Sequence, residues 1–269
     1  MIRWQVLVIT NNEVTTLSPL ANAASLHTVY GRENQLQSLN GIEANTALRP
    51  LDVRGNGAVT NLEPLTGLVA LRSLGVGGAA GAVDLAPLAG LHAMAAMRLE
   101  NFGGGLDLTP LDGLPYLATL SLKGTPLTNA QLETLGGGFT ALRDLDISSS
   151  GVTSLADVVG VASLKILRAS DNGISGLPDA ALWSSVEDLR VGDNPLDTLA
   201  PLAGVLSLRR LDAPRTTIES VAALIEIPGF GAESFLDVRE TLLAEDDCAA
   251  LGVLDARGVD VRVDVTCGR

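Results

Sequence analysis

The residues that most often act as nucleophiles, general bases or metal ligands are scarce in this chain. Its 269 residues include two histidines, His27 and His92, and two cysteines, Cys248 and Cys267. No histidine lies near a cysteine in the sequence, so a zinc site with four nitrogen or sulfur ligands is not predicted. Carboxylates are common, but a random pair is far more often surface charge than an acid–base couple. The sequence therefore predicts no catalytic residue and no metal site, and we expect the protein not to be an enzyme.

A glycine-rich tract at residues 75–80 (GVGGAA) formally matches the fingerprint of a dinucleotide-binding loop. That fingerprint requires a helix directly after it, whose N-terminus holds the pyrophosphate. Here the chain continues instead in a regular repeat to Leu85 and Pro87. No lysine follows a glycine-rich tract in the manner of a phosphate-binding loop. We therefore expect no cofactor.

An internal repeat must position the polar residues that remain. Its phrase is leucine, two residues, leucine, one residue, an aliphatic residue, two residues and a small polar residue, as in Leu48, Leu51, Val53 and Asn56. Successive copies are 22, 23 or 25 residues apart. A fixed period of this size is the signature of a solenoid, in which each unit contacts only its neighbours. The second apolar position falls on Leu7, Val29, Leu51, Leu74, Met97, Leu120, Leu145, Leu167, Leu189, Leu211 and Leu236.

Each repeat divides into a strand, a turn and a return segment. The leucine-rich portion alternates apolar and other residues, which predicts a β-strand with its apolar side chains inward. The asparagine that follows can satisfy backbone groups at the turn with its amide. Five repeats then contain Leu-x-Pro-Leu, which predicts a short 3₁₀ turn because proline removes a backbone donor. Residues 129–135 and 218–224, in the two 25-residue steps, lack proline and show helical spacing, which predicts α-helical turns.

The phrase L-x-x-L-x-L-x-x-N resembles the leucine-rich repeat family, and the 22-residue period with L-x-P-L resembles its bacterial internalin-like and phosphatase-regulator-like subclass. The match covers residues 4–243. The resemblance implies an α/β solenoid, a right-handed horseshoe with a parallel β-sheet on its concave side and turns or short helices on its convex side. It also implies that the concave side binds a partner. Ala79 and Phe102 replace the asparagine, so we expect an interrupted polar ladder there.

The two ends of the array differ from each other. Residues 1–10 fit the repeat as a strand, because their apolar run is too short for a secretory signal and no cleavage site follows. A solenoid normally covers its last core layer with a cap; none precedes these residues, so we expect the chain to be the C-terminal part of a longer protein. Residues 244–257 predict a helix and residues 259–265 a half-buried strand. These divide the chain into a repeat array, residues 1–243, and a C-terminal capping unit, residues 244–269.

Both cysteines lie in this capping unit, where a helix that leads into a returning strand could bring them together. A disulfide between Cys248 and Cys267 would indicate an oxidising compartment, outside the cytoplasm or at the cell surface. The alternative is two unrelated residues, with Cys248 a buried apolar side chain and the protein in the cytoplasm. The sequence leaves both interpretations open.

Charge is segregated by face in the predicted solenoid. We define a concave strip that takes from each repeat the two residues before the second apolar position, the one after it, and the two that follow the third. The strip holds 14 of the 18 basic and 12 of the 31 acidic residues, a net charge of +2 against −15 for the rest. Because arginine offers a planar fork to carboxylates, the strip suits a polar or acidic protein surface. The alternative is that these charges only keep the sheet soluble.

Two other kinds of partner are not expected. The net charge of −13 argues against nucleic-acid binding, which requires a basic face. No apolar run reaches the roughly 18 residues that a membrane helix needs.

Aromatic anchors are scarce on the strip, where Tyr30 and Phe235 are the only two. Protein interfaces favour tyrosine, tryptophan and arginine as their main contacts. We therefore predict one contact patch at Tyr30 with Arg32 and Arg54, and a second at Phe235 with Arg210, Arg215 and Arg239. The full set of predicted partner-binding residues is Tyr30, Arg32, Arg54, Arg98, Arg168, Arg190, Arg210, Arg215, Phe235 and Arg239.

The sequence thus predicts a non-catalytic protein–protein interaction module that binds a protein partner through its concave face. One alternative is the repeat, or targeting, portion of a larger enzyme or effector whose catalytic domain lies upstream. Another is a cell-surface adhesin, which a disulfide in the capping unit would favour.

Overall fold

The computed structural model describes residues 4–158, 161–183 and 185–267. The chain divides into two compact units, Met1–Leu142 and Arg143–Arg269. Their described residues form twelve short β-strands, two α-helices and several 3₁₀ helices.

In the first unit, parallel strands follow one another in chain order, and each pairs with the next. The register aligns one apolar residue from every strand: Leu7, Val29, Leu51, Leu74, Met97 and Leu120. From Val29 to Leu120 these side chains are at most 1 % exposed, so they form the spine of the core. The strands are β1 (Val6–Val8), β2 (Thr28–Tyr30), β3 (Pro50–Asp52), β4 (Ser73–Gly77), β5 (Ala96–Glu100) and β6 (Thr119–Ser121).

The second unit repeats this arrangement. Its spine is Leu145, Leu167, Leu189, Leu211, Leu236 and Val261. The structure therefore confirms the predicted repeat and the predicted parallel sheet within each unit. The strands are β7 (Asp144–Asp146), β8 (Ile166–Arg168), β9 (Asp188–Arg190), β10 (Arg210–Asp212), β11 (Phe235–Asp237) and β12 (Asp260–Arg262).

The asparagine at the end of the repeat joins neighbouring repeats. The Asn56 side chain is 1 % exposed. Its Nδ2 donates to the carbonyl of Val53 at 2.8 Å in its own repeat and to that of Gly31 at 2.9 Å in the preceding one. Its Oδ1 accepts from the Leu36 N–H at 2.9 Å, again in the preceding repeat. The same kind of bonding is made by Asn34, Asn172 and Asn194.

The ladder of asparagines is interrupted where the sequence predicts. Ala79 and Phe102 stand at the ladder position as buried apolar side chains. In the next repeat Thr125 takes over with a smaller group. Its hydroxyl donates to the Leu99 carbonyl at 3.1 Å and accepts from the Phe102 N–H at 3.2 Å.

The residue directly before each ladder position has a conformation that the sequence does not reveal. In all eleven repeats its φ is positive, between 50° and 94°. An L side chain in this left-handed region costs roughly 1–2 kcal/mol, yet only three of the eleven residues are glycine. The turn is therefore imposed by the packing of the repeats. The eleven residues are Asn11, Glu33, Gly55, Gly78, Asn101, Gly124, Ser149, Asp171, Asp193, Arg215 and Glu240.

The return segments are mostly 3₁₀ helices, as the prolines predict. The five Leu-x-Pro-Leu segments form 3₁₀ helices at Ser18–Asn22, Glu63–Leu65, Ala86–Leu88, Thr109–Leu111 and Ala200–Leu202. A sixth, without proline, spans Ala180–Leu182.

Of the two predicted α-helices in the return segments, one is confirmed and one is wrong. Helix α1 spans Asn129–Gly138. Residues 218–224 form no α-helix, and the chain makes a 3₁₀ helix at Ala222–Glu226 instead. Pro228 follows closely and favours an extended conformation for the residue before it. Ile227 accordingly has ψ 101°, and the 3₁₀ helix ends at Glu226.

The C-terminal residues add a last helix and strand. A 3₁₀ helix at Glu245–Asp247 leads into α2 (Cys248–Ala256), so the predicted α-helix begins later than residue 244. Strand β12 has three residues, fewer than predicted, although the alternation of exposure continues to Val265. Cys248 and Cys267 form a disulfide, with their Cα atoms 5.5 Å apart. The assignment of residues 244–269 as a separate capping unit stays a prediction.

The first repeat leaves apolar side chains exposed. Trp4 is 54 % exposed, and with Leu7, Val14, Leu17 and Leu20 it lines an open cavity of about 320 Å³. The expectation that a further segment precedes this chain stays a prediction.

Replacing Asn56 by Ala should lower the free energy of unfolding by at least about 2 kcal/mol, because it leaves buried backbone groups of two repeats without partners. Urea unfolding followed by circular dichroism measures the change. The matched control is Asn12→Ala, since the exposed Asn12 amide bonds only to carbonyls of its own turn. We expect the control to cost about 0.5 kcal/mol or less. Equal losses in both variants would contradict the role of the ladder.

Candidate binding surface on the strand face

In each unit, the outward side chains of the strands and of the turns directly after them form a surface, which we call the strand face of that unit. Over the eleven repeats its residues are those of the predicted strip, and in the second unit it continues onto β12. Strand periodicity creates it, because neighbouring side chains of a strand point to opposite sides. In β9, Leu189 is buried while Asp188 and Arg190 on either side of it are half-exposed. A charged residue two positions from another therefore stands beside it on the same face.

Acidic neighbours hold most of the arginines that were predicted to bind a partner. Arg190 reaches Asp188 at 2.8 Å, and Arg239 reaches Asp237 at 2.6 Å. Seven of the eight predicted arginines have such an ion pair, and within the described residues only Arg98 has none. The pairs are Arg32–Asp52, Arg54–Asp52, Arg54–Glu100, Arg168–Asp144, Arg190–Asp188, Arg210–Asp212, Arg215–Asp193 and Arg239–Asp237.

Two of these carboxylates, Asp237 and Asp193, have a pKa that their arginine partners lower. Burial alone would raise the pKa of Asp237, whose side chain is 4 % exposed, but hydrogen bonds from Arg239 outweigh it and lower that pKa. The hydrogen bond from Arg215 lowers the pKa of Asp193. In the first unit, the side-chain hydrogen bond to Asp52 raises the pKa of Arg54. The carboxylates of Asp193 and Asp237 are thus held in their charged form by the arginines that bond to them.

In the second unit, Phe235 lies between two arginines. The guanidinium of Arg210, on the neighbouring strand β10, stands 4.0 Å from the centre of the ring, and that of Arg262, on β12, stands 4.9 Å away. Such cation–π contacts are worth about 0.5–1 kcal/mol at exposed sites. Arg262 was not among the predicted residues, because the predicted strip ended at the eleventh repeat. The sequence did predict a further strand at residues 259–265. In the structure that strand, β12, pairs with β11 and brings Arg262 opposite Asp237.

The second predicted patch is only partly assembled. Arg210 contacts Phe235, as the patch requires. Arg215 instead bonds to Asp193 at 2.5 Å and lies 3.7 Å from Glu240, and Arg239 bonds to Asp237. The arginines of this patch therefore have partners within the protein.

In the first unit, Tyr30, Arg32 and Arg54 line one open cavity of about 370 Å³, and the cavity also includes Arg98. Short residues form part of its lining, among them Pro50 and Ser73. Arg54 extends from β3 across β4 to Glu100 on β5, where its Nη1 lies 2.7 Å from the carboxylate. This pair joins residues two repeats apart, and no local sequence pattern could have revealed it.

Other chemistry is not assembled in the described part of the chain. No group of three or more histidines, cysteines or carboxylates there is arranged to hold a metal ion. Among the same residues, no helix combines the length and the apolar character that crossing a membrane requires.

Replacing Asp237 by Asn removes a carboxylate whose pKa is lowered in the folded protein. Such a group stabilises the fold fully above its unfolded pKa of about 3.9, and the contribution is lost as the pH falls through the lower folded value. The difference in free energy of unfolding between wild type and variant should be constant from about pH 5 to 7 and shrink below about pH 4. Urea unfolding across this range measures it.

The control for this experiment is Asp179→Asn, which removes an exposed carboxylate that has no ion pair within the described residues. We expect it to differ little from the wild type at any pH. A difference for Asp237→Asn that does not change with pH would contradict the assigned shift.

No protein-family model matches the sequence, and no curated protein matches it. Solved structures do match. An internalin from Listeria monocytogenes superimposes with a TM-score of 0.75 at 21 % identity, over 97 % of this chain and 76 % of that one. A leucine-rich repeat protein from Leptospira interrogans gives a TM-score of 0.69 at 18 % identity, over 95 % of this chain and 72 % of that one.

A third similar structure is the leucine-rich repeat ectodomain of the membrane receptor kinase GASSHO1/SCHENGEN3 from Arabidopsis thaliana, in complex with Casparian strip integrity factor 2. Its TM-score is 0.62 at 18 % identity, over 97 % of this chain and 32 % of that one. At these identities the likeness concerns the fold. The repeat in the sequence, the aligned parallel strands and this likeness show that the chain has the leucine-rich repeat fold.

Proposed function

We propose that the protein is a non-catalytic recognition module and that it binds another protein through its strand face. The observation that carries this proposal is the network of ion pairs on that face. The pairs fix long arginine side chains in place before a partner arrives. Binding then costs less conformational entropy than it would on a face of free arginines.

A purely structural role explains this surface less well. Exposed ion pairs contribute about 0–1 kcal/mol each to stability. They do not account for the concentration of 14 of the 18 basic residues on the strand faces of the two units of an acidic protein. Repeat proteins of this kind generally use an extended surface for binding and are generally scaffolds without catalytic activity. The plant receptor ectodomain, which shares the fold, was solved with a bound factor, and this supports a polypeptide ligand here.

Alanine substitutions on the strand face should weaken partner binding. We expect Tyr30→Ala with Arg32→Ala, or Arg210→Ala with Arg215→Ala and Arg239→Ala, to reduce the retention of bound proteins at least about tenfold, because interface tyrosines and arginines commonly contribute 1.4 kcal/mol or more. The measurement is quantitative mass spectrometry of proteins that the immobilised protein retains from extracts of the cells that encode it.

The control variant removes apolar side chains from the connections that lead into the strands. Val69, Tyr116 and Leu206 are each at least 60 % exposed, and replacing all three by Ala should leave the retained proteins unchanged. If this variant loses them while both strand-face variants keep them, or if the wild type retains none, the proposal is wrong.

We also propose that recognition takes place in an oxidising compartment. The disulfide between Cys248 and Cys267 supports this, since disulfides persist in secreted and surface proteins and are rare in the cytosol. It favours the adhesin alternative over a cytoplasmic regulator. The alternative of a targeting portion within a larger enzyme or effector concerns sequence outside these 269 residues and stays a prediction.

Reduction of the disulfide should lower the free energy of unfolding by about 3 kcal/mol, because the bridge closes a loop of 19 residues in the unfolded chain. Urea unfolding with and without dithiothreitol measures this, and titration of free thiols confirms the redox state. The variant Cys248→Ala with Cys267→Ala should be equally destabilised and unaffected by dithiothreitol. Free thiols in protein isolated without reductant from its native compartment would contradict the proposed location.

A further inference from the structure

Two glycines on β4 change the pattern of ion pairs in the first unit. Gly75 and Gly77 stand at outward positions of this strand, between β3 and β5. A Cβ atom on Gly75 would lie 2.6 Å from Asp52 Oδ1 and 3.2 Å from Arg54 Nε. The side chains of β3 therefore lie flat over the backbone of β4. Glycine inside a strand often marks such a close approach.

Because β4 has no side chains at these two positions, Arg54 can bond to the carboxylate of Glu100, which lies on the same face as Arg98. In the repeats of β9 and β11, an arginine pairs with the acid two positions before it, as Arg190 does with Asp188 and Arg239 with Asp237. In the repeat of β5, Arg98 and Glu100 stand at the positions of Asp237 and Arg239 with the charges exchanged, so Glu100 is the acid two positions from Arg98 on the same face. That carboxylate bonds instead to Arg54, at 2.7 Å across β4. Arg98 is left without an ion pair in the described residues, although its side chain is half-buried.

The free guanidinium lines the cavity of the first unit, and its surroundings define what could bind. The cavity is lined by three guanidiniums, those of Arg32, Arg54 and Arg98, and by one carboxylate, that of Asp52. The hydroxyl-bearing residues Tyr30 and Ser73 also line it. Asp52 pairs with both Arg32 and Arg54, and Glu100 pairs with Arg54. The three guanidiniums and these two carboxylates carry a net charge of +1, and Arg98 is the one of the three arginines without an ion pair in the described residues.

We propose that Arg98 is the anchor for a carboxylate of the partner, an aspartate or glutamate side chain that enters the cavity between Tyr30, Ser73 and Arg98. A planar carboxylate matches the two-pronged guanidinium, and such charge-assisted pairs are shorter and stronger than neutral hydrogen bonds. A single uncompensated cation favours a singly charged group, since a doubly charged phosphate would also face Asp52. The inference rests on the proposed function, in that it takes the partner to be a polypeptide.

The test uses three pools of octapeptides with blocked ends. They are identical except for Glu, Gln or phosphoserine at the fourth position, and the other positions carry only uncharged residues. Retention on the immobilised protein is measured by mass spectrometry. The wild type should retain the Glu pool about tenfold better than the Gln pool. The variant Arg98→Gln should abolish this preference. The control Arg257→Gln, which removes an arginine at the C-terminal end of α2 and outside the strand face, should keep it.

A rescue experiment tests whether Arg98 lacks an ion pair because Glu100 bonds to Arg54. Arg54→Gln releases Glu100 to pair with Arg98, so the preference for Glu should fall severalfold. Adding Glu100→Gln to that variant frees Arg98 again, and the preference should return although one more polar group has been changed. If Arg54→Gln and the double variant show the same preference for the Glu pool, competition between Arg54 and Arg98 for Glu100 is wrong. Circular dichroism checks that each variant is folded.

The remaining outcomes separate this inference from the proposed function. A Glu preference that survives Arg98→Gln, or stronger retention of the phosphoserine pool, overturns the carboxylate anchor. If the wild type shows no Glu preference while its binding of proteins depends on the strand face, the inference alone fails. Retention of the Glu pool through Arg98 by a protein that retains no protein from extracts would instead overturn the proposed function.

Discussion

In each of the eleven repeats the chain leaves its strand through a residue with positive φ, and backbone groups around that turn are buried. Leaving such a group without a partner costs about 1–3 kcal/mol. The asparagine that follows satisfies groups on both sides, as Asn56 does for Val53 in its own repeat and for Gly31 and Leu36 in the one before. No repeat is therefore complete by itself. This requirement fixes the distance and the register between successive repeats, and the leucine spine and the strand face both depend on that register.

The register turns a pattern along the sequence into rows across the sheet. Residues that are one repeat apart in the chain become neighbours, so Arg210 comes to lie against Phe235. Within a strand, acids and arginines two positions apart pair on the same face. At β4 two outward positions are glycine, so no side chains there separate the outward residues of β3 from those of β5. Arg54 extends across this strand to Glu100. The distribution of paired and unpaired arginines thus follows from which outward positions carry a side chain.

The sequence predicted what depends on periodicity and left out what depends on contact. The spacing of leucines gave the strands, their parallel order and the apolar spine, and the prolines gave the 3₁₀ helices. The left-handed residues escaped prediction because Glu33, Arg215 and Glu240 have no intrinsic preference for positive φ; the stacking of repeats imposes it. The α-helix expected at residues 218–224 was wrong because the spacing of apolar residues indicates helical turns without distinguishing an α-helix from the 3₁₀ helix that forms at Ala222–Glu226. The Arg54–Glu100 pair could not be predicted from the sequence without knowing that β4 lies between these residues and has glycine at two outward positions.

Pairing decides which arginines can recognise a partner at low cost. An arginine such as Arg190 must share or give up its bond to Asp188 when an external carboxylate arrives, so part of the gain is offset by what is lost. Arg98 has no such bond to give up. The ring of Phe235, like Arg190, already has contacts within the protein. Arg210 and Arg262 stand over it, and a partner must compete with them. By this reasoning the paired arginines contribute through their fixed positions and exclude wrong partners. Arg98 differs from them because it can bind an external carboxylate without giving up an ion pair within the described residues.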